Sequence, residues 1–322
     1  MPQPNATWFA FPGIAHLTAL SAHSQRGCKN LSNDVQFGFG LQLASDVPVP
    51  GAITRHCHEM RFSIAIELIG QCQPSPEPGF MLEADGIVYS HPCGRFHCAK
   101  DRITIEPSER ASGADLGELL VANALPALLW QRGAFVLHAA CVQIPDGPAV
   151  AIAGPSGAGK SRLAAALVAG GAQLIGDDSL ALYPENHGVL AQGLPGGLFA
   201  RSPDSADREF VRAEAGPAQG ECVLDLLVIL TGEERSAQRL APIEAVEQLL
   251  LNRHRPQVPL LLGQQGRVLT QTTMIAGQLP IVCIGPQALF DNDPNAISTF
   301  LTDLARPSSC GSRLFRDGNG SH

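Results

Sequence analysis

Eight consecutive residues of this chain have the types and the spacing of a phosphate-binding loop. The segment GPSGAGKS at residues 154–161 fills every fixed position of the pattern G-x-x-x-x-G-K-[ST]. In such a loop backbone N–H groups surround phosphate oxygens, the lysine reaches the β- and γ-phosphates, and the serine hydroxyl holds Mg²⁺. The pattern therefore predicts a nucleoside triphosphate site, and the alternative is a glycine-rich turn that binds nothing. The predicted contacts come from Gly154, Pro155, Ser156, Gly157, Ala158, Gly159, Lys160 and Ser161.

The sequence on either side of this loop supplies the elements that must position it. Ala149–Ala153 is a short apolar run suited to a buried strand, and residues 162–168 (RLAAALV) are strong helix formers. A loop between a strand and a helix places the helix N-terminus, with its partial positive charge, at the phosphates.

A pair of carboxylates follows the predicted helix. Asp177 and Asp178 come after the segment QLIG at residues 173–176, one helix and one turn beyond Lys160. Ligands of open α/β sheets lie at the carboxyl ends of strands, so we expect a neighbouring strand that ends beside the loop. One carboxylate would hold Mg²⁺ or its water and the other would face a phosphate acceptor, because adjacent side chains on a strand point in different directions. The alternative is an Asp-Asp turn or a helix cap.

His138 lies in an otherwise apolar segment, FVLHAACV, just before the hairpin that leads into the loop. A lone histidine in a strand is commonly a hydrogen-bonded core residue. A neutral histidine beside the carboxylates would instead orient one of them or relay a proton. The sequence leaves both interpretations open.

The composition restricts the partners of the protein. The chain has 322 residues, 45% of them hydrophobic, which is enough for two lobes around a substantial core. Charged residues make up 16%, and the net charge of −8 argues against a general binder of nucleic acid or of anionic membranes. We find neither an uninterrupted apolar segment of about 18 residues nor a signal peptide, so a cytoplasmic protein is expected.

The nine cysteines have no repeated short spacing. Cys93 and Cys98 form a close pair, but no second matching pair follows them. We therefore expect reduced thiols rather than a cysteine zinc site.

The pattern of the chain changes near residue 112. Short alternating segments with hairpin signals at residues 85–86 and 100–101 predict a β-rich N-terminal domain over residues 1–112. Residues 113–305 predict a second domain that carries the loop, and residues 306–322 predict a disordered tail.

Within the second domain, residues 115–132 predict a helix that Pro126 kinks or divides. Residues 133–144 predict one buried strand or hairpin arm. The other predicted elements are strands at residues 224–230 and 281–285 and a helix at residues 241–252.

Two stretches resemble a known family. LHAACVQI at residues 137–144 and GPSGAGKSRLAAALVAGGAQLIGDD at residues 154–178 are similar to the catalytic core of the bacterial HPr serine kinase/phosphorylase. The string LIGDD also looks like the second kinase motif of ATP-dependent phosphoenolpyruvate carboxykinase, a structural relative. The likeness is greatest to the HPr-kinase-like group with a divergent β-rich N-terminal domain, which includes lasso-peptide precursor kinases. It covers residues 95–182 well and residues 224–256 loosely.

The resemblance implies a fold, cofactors and roles. The fold is α/β, with a P-loop domain of the HPr-kinase and carboxykinase type after a smaller β-rich N-terminal domain, and the cofactors are ATP and Mg²⁺. Lys160 and Ser161 would hold the phosphates and Mg²⁺, with Asp178 as the metal-side carboxylate. Asp177 would be the acceptor-side base, supported by His138.

The chain also departs from the family. It lacks the glycine-rich, arginine-containing C-terminal signature of authentic HPr kinases, so the resemblance implies neither phosphorylase activity nor HPr as the substrate. A second cation besides Lys160 is expected to offset charge on the transferring phosphoryl group. The candidates are Arg201, Arg253 and Arg255, each an exposed surface residue in the alternative interpretation.

The loop and the resemblance together predict a kinase that transfers the γ-phosphoryl group of ATP to a serine hydroxyl of a peptide or small protein. The C-terminal serine of a lasso-peptide precursor is the sharpest candidate acceptor. The alternatives are a nucleotide-binding regulator with little phosphoryl transfer and a small-molecule kinase. A homo-oligomer is also expected, since HPr kinases are oligomers.

Overall fold

The computed structural model describes residues 34–56, 64–201, 208–212, 220–231, 236–285, 289 and 293–306. Over these residues the protein is a mixed α/β structure with β-sheets of eight, six, four and two strands. None of the described helices has the length and apolar character needed to cross a membrane. The predicted tail lies outside the described residues, apart from Arg306.

The strands are β1 (Asp34–Gly38), β2 (Leu41–Ser45), β3 (Ile53–His56), β4 (Ile64–Leu68), β5 (Gly79–Glu83), β6 (Gly86–His91), β7 (Gly94–Cys98), β8 (Arg102–Pro107), β9 (Phe135–Leu137), β10 (Ala139–Gln143), β11 (Ala149–Ala153), β12 (Gln173–Gly176), β13 (Leu180–Glu185), β14 (Gly188–Gln192), β15 (Gly197–Arg201), β16 (Arg208–Arg212), β17 (Glu221–Leu224), β18 (Leu226–Leu230), β19 (Gln238–Arg239) and β20 (Ile281–Ile284). The helices are α1 (Gly113–Leu119), α2 (Leu125–Gln131), α3 (Lys160–Ala169), α4 (Pro242–Leu251), α5 (Gln257–Leu261), α6 (Gln265–Gln278) and α7 (Pro294–Ala305).

The eight-stranded sheet contains all described strands before residue 112, in the order β3-β1-β2-β4-β8-β7-β6-β5. The antiparallel pairs β5–β6 and β7–β8 confirm the two predicted hairpins. Along β8, buried Ile103 and Ile105 alternate with more exposed residues, so the sheet buries one face.

The buried face of this sheet joins the core of the rest of the chain. Ile66 and Ile105 of the sheet belong to the same hydrophobic cluster as Leu128 and Trp130 of α2. Strands β1 to β8 and the later elements therefore pack as neighbours without an intervening gap, and the domain boundary at residue 112 stays a prediction.

The six-stranded sheet has the order β12-β10-β11-β18-β20-β19. Its central strands β11, β18 and β20 are parallel, and all their residues are buried. Such continuous apolar strands are typical of a sheet covered on both faces. Helices α3 and α7 cover one face through residues such as Leu167 and Leu301, while α4 and α6 belong to the core on the other through Leu249 and Ile275.

The sequence predicted that the strand before Asp177 would be a neighbour of the strand that leads into the loop. In the structure β10 lies between these two strands, β12 and β11. Strand β12 pairs antiparallel with β10, which in turn pairs antiparallel with β11. Two antiparallel steps make β12 parallel to β11, so both strands end at the same edge of the sheet. Asp177, which follows β12, therefore contacts Ser161 of the loop although β10 lies between β12 and β11.

The single strand predicted over residues 133–144 is two strands in two sheets. β9 pairs with β13 in the four-stranded sheet, whereas β10 pairs with β11 in the six-stranded sheet. His138 is the one residue between them. The apolar residues on both sides of His138 are buried, so the run has no periodicity that would reveal such a change of sheet.

The predicted helix over residues 115–132 is divided near Pro126, as expected. A π-helical turn, Leu120–Ala124, separates α1 from α2, and Pro126 lies in the first turn of α2. Proline has no N–H to donate to the carbonyl four residues earlier, which here belongs to Ala122. That carbonyl becomes part of the candidate site.

Candidate active site

The phosphate loop, residues 154–161, runs from the end of β11 into the first turn of α3. Gly154 has a φ of 140°, and a Cβ there would lie 2.5 Å from the carbonyl oxygen of Leu230. Gly159 caps α3 in the left-handed conformation, with a φ of 98°. At these two positions the backbone of the loop requires glycine.

Lys160 folds back over its own loop. Its Nζ donates to the carbonyl oxygens of Gly154, at 2.9 Å, and Pro155, at 3.2 Å. The residue is buried, with 7% of its surface exposed. The ammonium group therefore lies against the first two residues of the loop.

Asp177 lies against the start of α3. Ser161 Oγ donates to its Oδ1 at 2.9 Å, and the backbone N–H of Phe199 donates to its Oδ2 at 2.9 Å. Burial raises the pKa of this carboxyl group, and the charge of Asp178 raises it further, while the two hydrogen bonds oppose the change. Ser161 and Asp177 together offer two oxygen atoms, the ligand type that Mg²⁺ prefers, so these residues fit the ion that the loop pattern implies.

Asp178 turns in the other direction. Its Oδ1 lies 3.7 Å from His138 Nδ1, and its Oδ2 lies 4.0 Å from His254 Nε2. His138 Nδ1 also lies 2.8 Å from the backbone carbonyl oxygen of Asp178. Because a carbonyl only accepts, Nδ1 is the protonated nitrogen of His138.

The carboxylate contacts are therefore the reverse of those expected from the sequence. The expectation placed Asp178 with Ser161 and Asp177 with His138, but Ser161 bonds to Asp177 and His138 contacts Asp178. The reason is local: β12 ends at Gly176, and Asp178 has a left-handed φ of 69° in the turn that follows. Strand alternation predicted only that the two side chains point in different directions, as they do, and the expected assignment of each came from the motif resemblance.

His254 was not recognised from the sequence. Its Nδ1 is hydrogen-bonded to Ser179 Oγ at 2.7 Å, and its ring centre lies 5.0 Å from that of His138. Its backbone is held by Trp130 Nε1, which donates to its carbonyl oxygen at 2.8 Å, and by its own N–H, which donates to Val136. We call His138, Asp178 and His254 the histidine cluster. No local pattern in NRHRP distinguishes a histidine that packs here from one on the surface.

The arginine candidates have different positions. Arg253 and Arg255 are partly buried and line the same cleft as the histidine cluster, so neither is a fully exposed surface residue. Arg255 Nε donates at 2.7 Å to the carbonyl oxygen of Ala122. Pro126 has no N–H that could donate to this oxygen. Burial lowers the pKa of Arg255, and the charge of Asp178 opposes that change. The side chain of Arg201 lies outside the described part of the chain.

A cleft of about 380 Å³ brings the phosphate loop and the histidine cluster together. Residues 154–156 form one wall, and residues 251–257, from the last residue of α4 to the start of α5, form another. The remaining lining residues are Ala122, His138 and Asp178. Lys160, Ser161 and Asp177 are not among the residues that line this cleft. One cavity thus brings the first three residues of the loop together with two histidines, an aspartate and two arginines.

Comparison with known proteins gives little further guidance. No protein-family model matches the chain. No curated protein matches it either. Among solved structures, the HPr(Ser) kinase/phosphatase from Coxiella burnetii is 17% identical over 52% of this chain and 94% of that chain, with a TM-score of 0.31. The two proteins are distant structural neighbours.

Proposed function

We propose that this protein is an ATP- and Mg²⁺-dependent kinase that transfers the γ-phosphoryl group to a serine hydroxyl of a peptide or small protein. The observation that supports it most is that the phosphate loop and the histidine cluster line one cleft. Nucleotide binding alone does not require the carboxylate and the two imidazoles that line the same cleft. Those groups suit proton transfer from an acceptor.

On the donor side, the loop amides and Lys160 would bind the phosphates, and Ser161 with Asp177 would hold Mg²⁺. This assignment exchanges the two carboxylates relative to the sequence prediction, because Asp177 is the one that contacts the serine of the loop. The ion held there would supply neutralisation of the negative charge on the phosphates.

On the acceptor side, Asp178 takes the hydroxyl proton while the hydroxyl oxygen bonds to the γ-phosphorus. The bond from that phosphorus to the β,γ-bridging oxygen breaks. The electron pair of this bond stays on the oxygen, which leaves as part of ADP. His138, which donates to the backbone carbonyl of Asp178, and His254, whose Nε2 lies 4.0 Å from the carboxylate, would orient that carboxylate. Arg255, which lines the same cleft, would offset charge on the moving group.

The shape of the cleft favours a chain as the acceptor. Pro155, Ser156, Pro256 and Gln257 line it and are themselves exposed, so the groove opens to solvent. A peptide end can enter such a groove, whereas a small-molecule kinase would be expected to enclose its substrate more fully. The C-terminal serine of a lasso-peptide precursor is the narrower proposal, and only the motif resemblance supports it. A homo-oligomer stays a prediction.

The test is incubation of the purified protein with γ-³²P-labelled ATP, MgCl₂ and two peptide sets, one with a C-terminal serine and one with an internal serine. We expect labelled phosphoserine with the wild-type protein and none with Lys160→Met. The replacement keeps the length of the side chain and removes its charge.

Transfer to the C-terminal set alone would support the narrower proposal. Labelling of internal serines alone would retain the kinase and reject the lasso-type acceptor. Tight ATP binding without any labelled peptide would reject the proposed transfer and favour a nucleotide-binding regulator.

A further inference from the structure

The break between α1 and α2 changes the hydrogen bonding of one backbone carbonyl. Pro126 has no N–H, and in a regular helix its ring would also clash with the carbonyl oxygen of Ala122, four residues earlier. The π-helical turn Leu120–Ala124 lies directly before α2, and the N–H of Leu125 bonds to Leu120, five residues back. Such turns are rare in helices and are frequent at functional sites. Ala122 is one of the residues that line the cleft, so its carbonyl deserves a functional account.

Arg255 supplies the donor that the proline lacks. Its Nε donates to the carbonyl oxygen of Ala122 at 2.7 Å, although the two residues are 133 positions apart in the chain. A guanidinium group has five N–H donors in one plane, one on Nε and four on the two terminal nitrogens. The bond through Nε therefore fixes the plane and leaves four donors for another partner. Within the described part of the chain, these terminal nitrogens have neither a hydrogen bond nor an ion pair.

The backbone around Arg255 is also held from two sides. Trp130 of α2 donates through Nε1 to the carbonyl oxygen of His254 at 2.8 Å, so α2 holds the chain one residue before Arg255. The carbonyl oxygen of Arg255 accepts the N–H of Val258 at 3.0 Å. Arg255 has a left-handed φ of 52°, a conformation that costs free energy in a residue other than glycine and persists where the surroundings impose it.

The position of the guanidinium group suits an anion in the cleft. Arg255 and Asp178 line the same cavity as residues 154–156 of the phosphate loop. Two parallel N–H groups of an arginine match two oxygens of one phosphoryl or carboxylate group. Because the first residues of the phosphate loop line this cavity, a phosphoryl group is the anion expected there.

We propose that Pro126 is a positioning residue: it leaves the Ala122 carbonyl to Arg255 Nε, and this bond directs the terminal nitrogens of Arg255 toward the transferred phosphoryl group. Pro126 contacts neither nucleotide nor acceptor and acts only through Arg255. The consequence for transfer rests on the proposed function, whereas the bond between Arg255 and Ala122 does not. The two can therefore fail separately.

The first experiment measures the bond itself, in nucleotide-free protein labelled with ¹⁵N-arginine. The Nε–H signal of Arg255 is assigned by its loss in Arg255→Lys, and its exchange with water is followed by NMR. We expect it to exchange at least about tenfold more slowly than the Nε–H of exposed Arg110. Pro126→Ala supplies a backbone N–H that competes for the Ala122 carbonyl, so most of this protection should disappear.

Pro242→Ala is the matched control. Pro242 also lies in the first turn of a helix, α4, but it is exposed and does not line the cleft, so its replacement should leave the protection of Arg255 unchanged. If circular dichroism shows that Pro126→Ala does not fold, Pro126→Val supplies the same N–H with a side chain closer in volume to proline. The proposal is wrong if Arg255 Nε–H exchanges as fast as that of Arg110, or if its protection persists in the folded Pro126 variant.

The second experiment measures phosphoryl transfer. Pro126→Ala should lower kcat about tenfold and leave the KM for ATP unchanged, because the loop that binds the nucleotide is intact. In the Arg255→Met background the same replacement should change kcat less than about twofold, since the residue that it positions is gone. Equal effects in the two backgrounds would show that Pro126 acts independently of Arg255 and would overturn the proposal.

The two experiments together separate this inference from the proposed function. If the wild-type protein transfers no phosphate while Pro126→Ala removes the protection of Arg255, the proposed function fails and the positioning of Arg255 stands. If transfer occurs but Pro126→Ala changes neither exchange nor kcat, the function stands and this inference fails.

Discussion

The two walls of the cleft are built in different ways. The phosphate-loop wall, residues 154–156, belongs to one continuous segment, residues 154–161, in which backbone geometry and two obligatory glycines do most of the positioning. The opposite wall gathers His138 from a link between two sheets, Asp178 from a turn, and His254 with Arg255 from the segment after α4.

The difference has a physical origin. A polyphosphate presents many equivalent oxygens, so a row of N–H groups and one cation can bind it. Activation of a single hydroxyl needs a few groups at fixed distances, and those groups must be held by packing and hydrogen bonds from several directions. We therefore expect substitutions on the two walls to separate nucleotide binding from catalysis.

The largest expected effect is that of Asp178→Asn. The amide cannot accept a proton, so kcat should fall about 10²–10⁴-fold while the affinity for nucleotide stays the same. Steady-state kinetics with Mg²⁺ as the only divalent ion and a fluorescent-nucleotide titration measure the two quantities, with exposed Asp101→Asn as the control. A parallel loss of nucleotide affinity would move Asp178 to the donor side, where the sequence analysis placed it.

The next effect concerns the phosphate-loop wall. Gly154→Ala brings a Cβ to 2.5 Å from Leu230 O at a φ of 140°, and we expect it to lower the free energy of unfolding by about 3 kcal/mol and to abolish nucleotide binding. Gly157→Ala is the matched control, because its φ is 85° but no atom lies within 4 Å of the added Cβ. It should cost only about 1 kcal/mol in urea denaturation. Equal losses would mean that close packing at Gly154 does not matter.

Arg255→Met tests the cation of the opposite wall. If Arg255 offsets charge on the transferring group, its loss should lower kcat about 100-fold with little change in nucleotide affinity. Arg132→Met is a suitable control, since Arg132 also donates to a backbone carbonyl, that of Lys100, but does not line the cleft. A purely structural Arg255 would lower thermal stability and leave kcat per folded molecule intact.

The smallest effect is on stability and depends on pH. Burial raises the pKa of Asp177 in the folded protein above its unfolded value, so the ionised carboxylate destabilises the fold. The penalty is absent in acid, where both states are protonated, and is complete at pH values above the folded pKa. Asp177→Asn should therefore stabilise the nucleotide-free protein more at neutral pH than in acid.

Chemical denaturation over a pH series measures that difference. Asp225→Asn is the control, because Asp225 is exposed and also accepts a backbone N–H, that of Ala149. A stabilisation independent of pH would show that the charge of Asp177 is not the cause.

Sequence reasoning reached the phosphate-loop wall because its residues are contiguous and carry their own conformational signature. It also found the break at Pro126, since proline acts through local geometry alone. It could not find His254, which is far from His138 in the chain and becomes its neighbour only through the bonds between residues 136–138 and 252–254. The directions of Asp177 and Asp178 depended on one left-handed residue, which no apolar pattern reveals.

Trp130 gives the cleft an optical reporter of its own. The indole is fully buried, stands edge-on to Phe135 at a centroid distance of 5.6 Å, and donates to the carbonyl oxygen of His254. The chain has only one other tryptophan, Trp8, which lies outside the described residues. In a Trp8→Phe protein the emission would come from a single indole bonded to the cleft wall, so binding events that shift the His254 backbone would be followed in real time without a label.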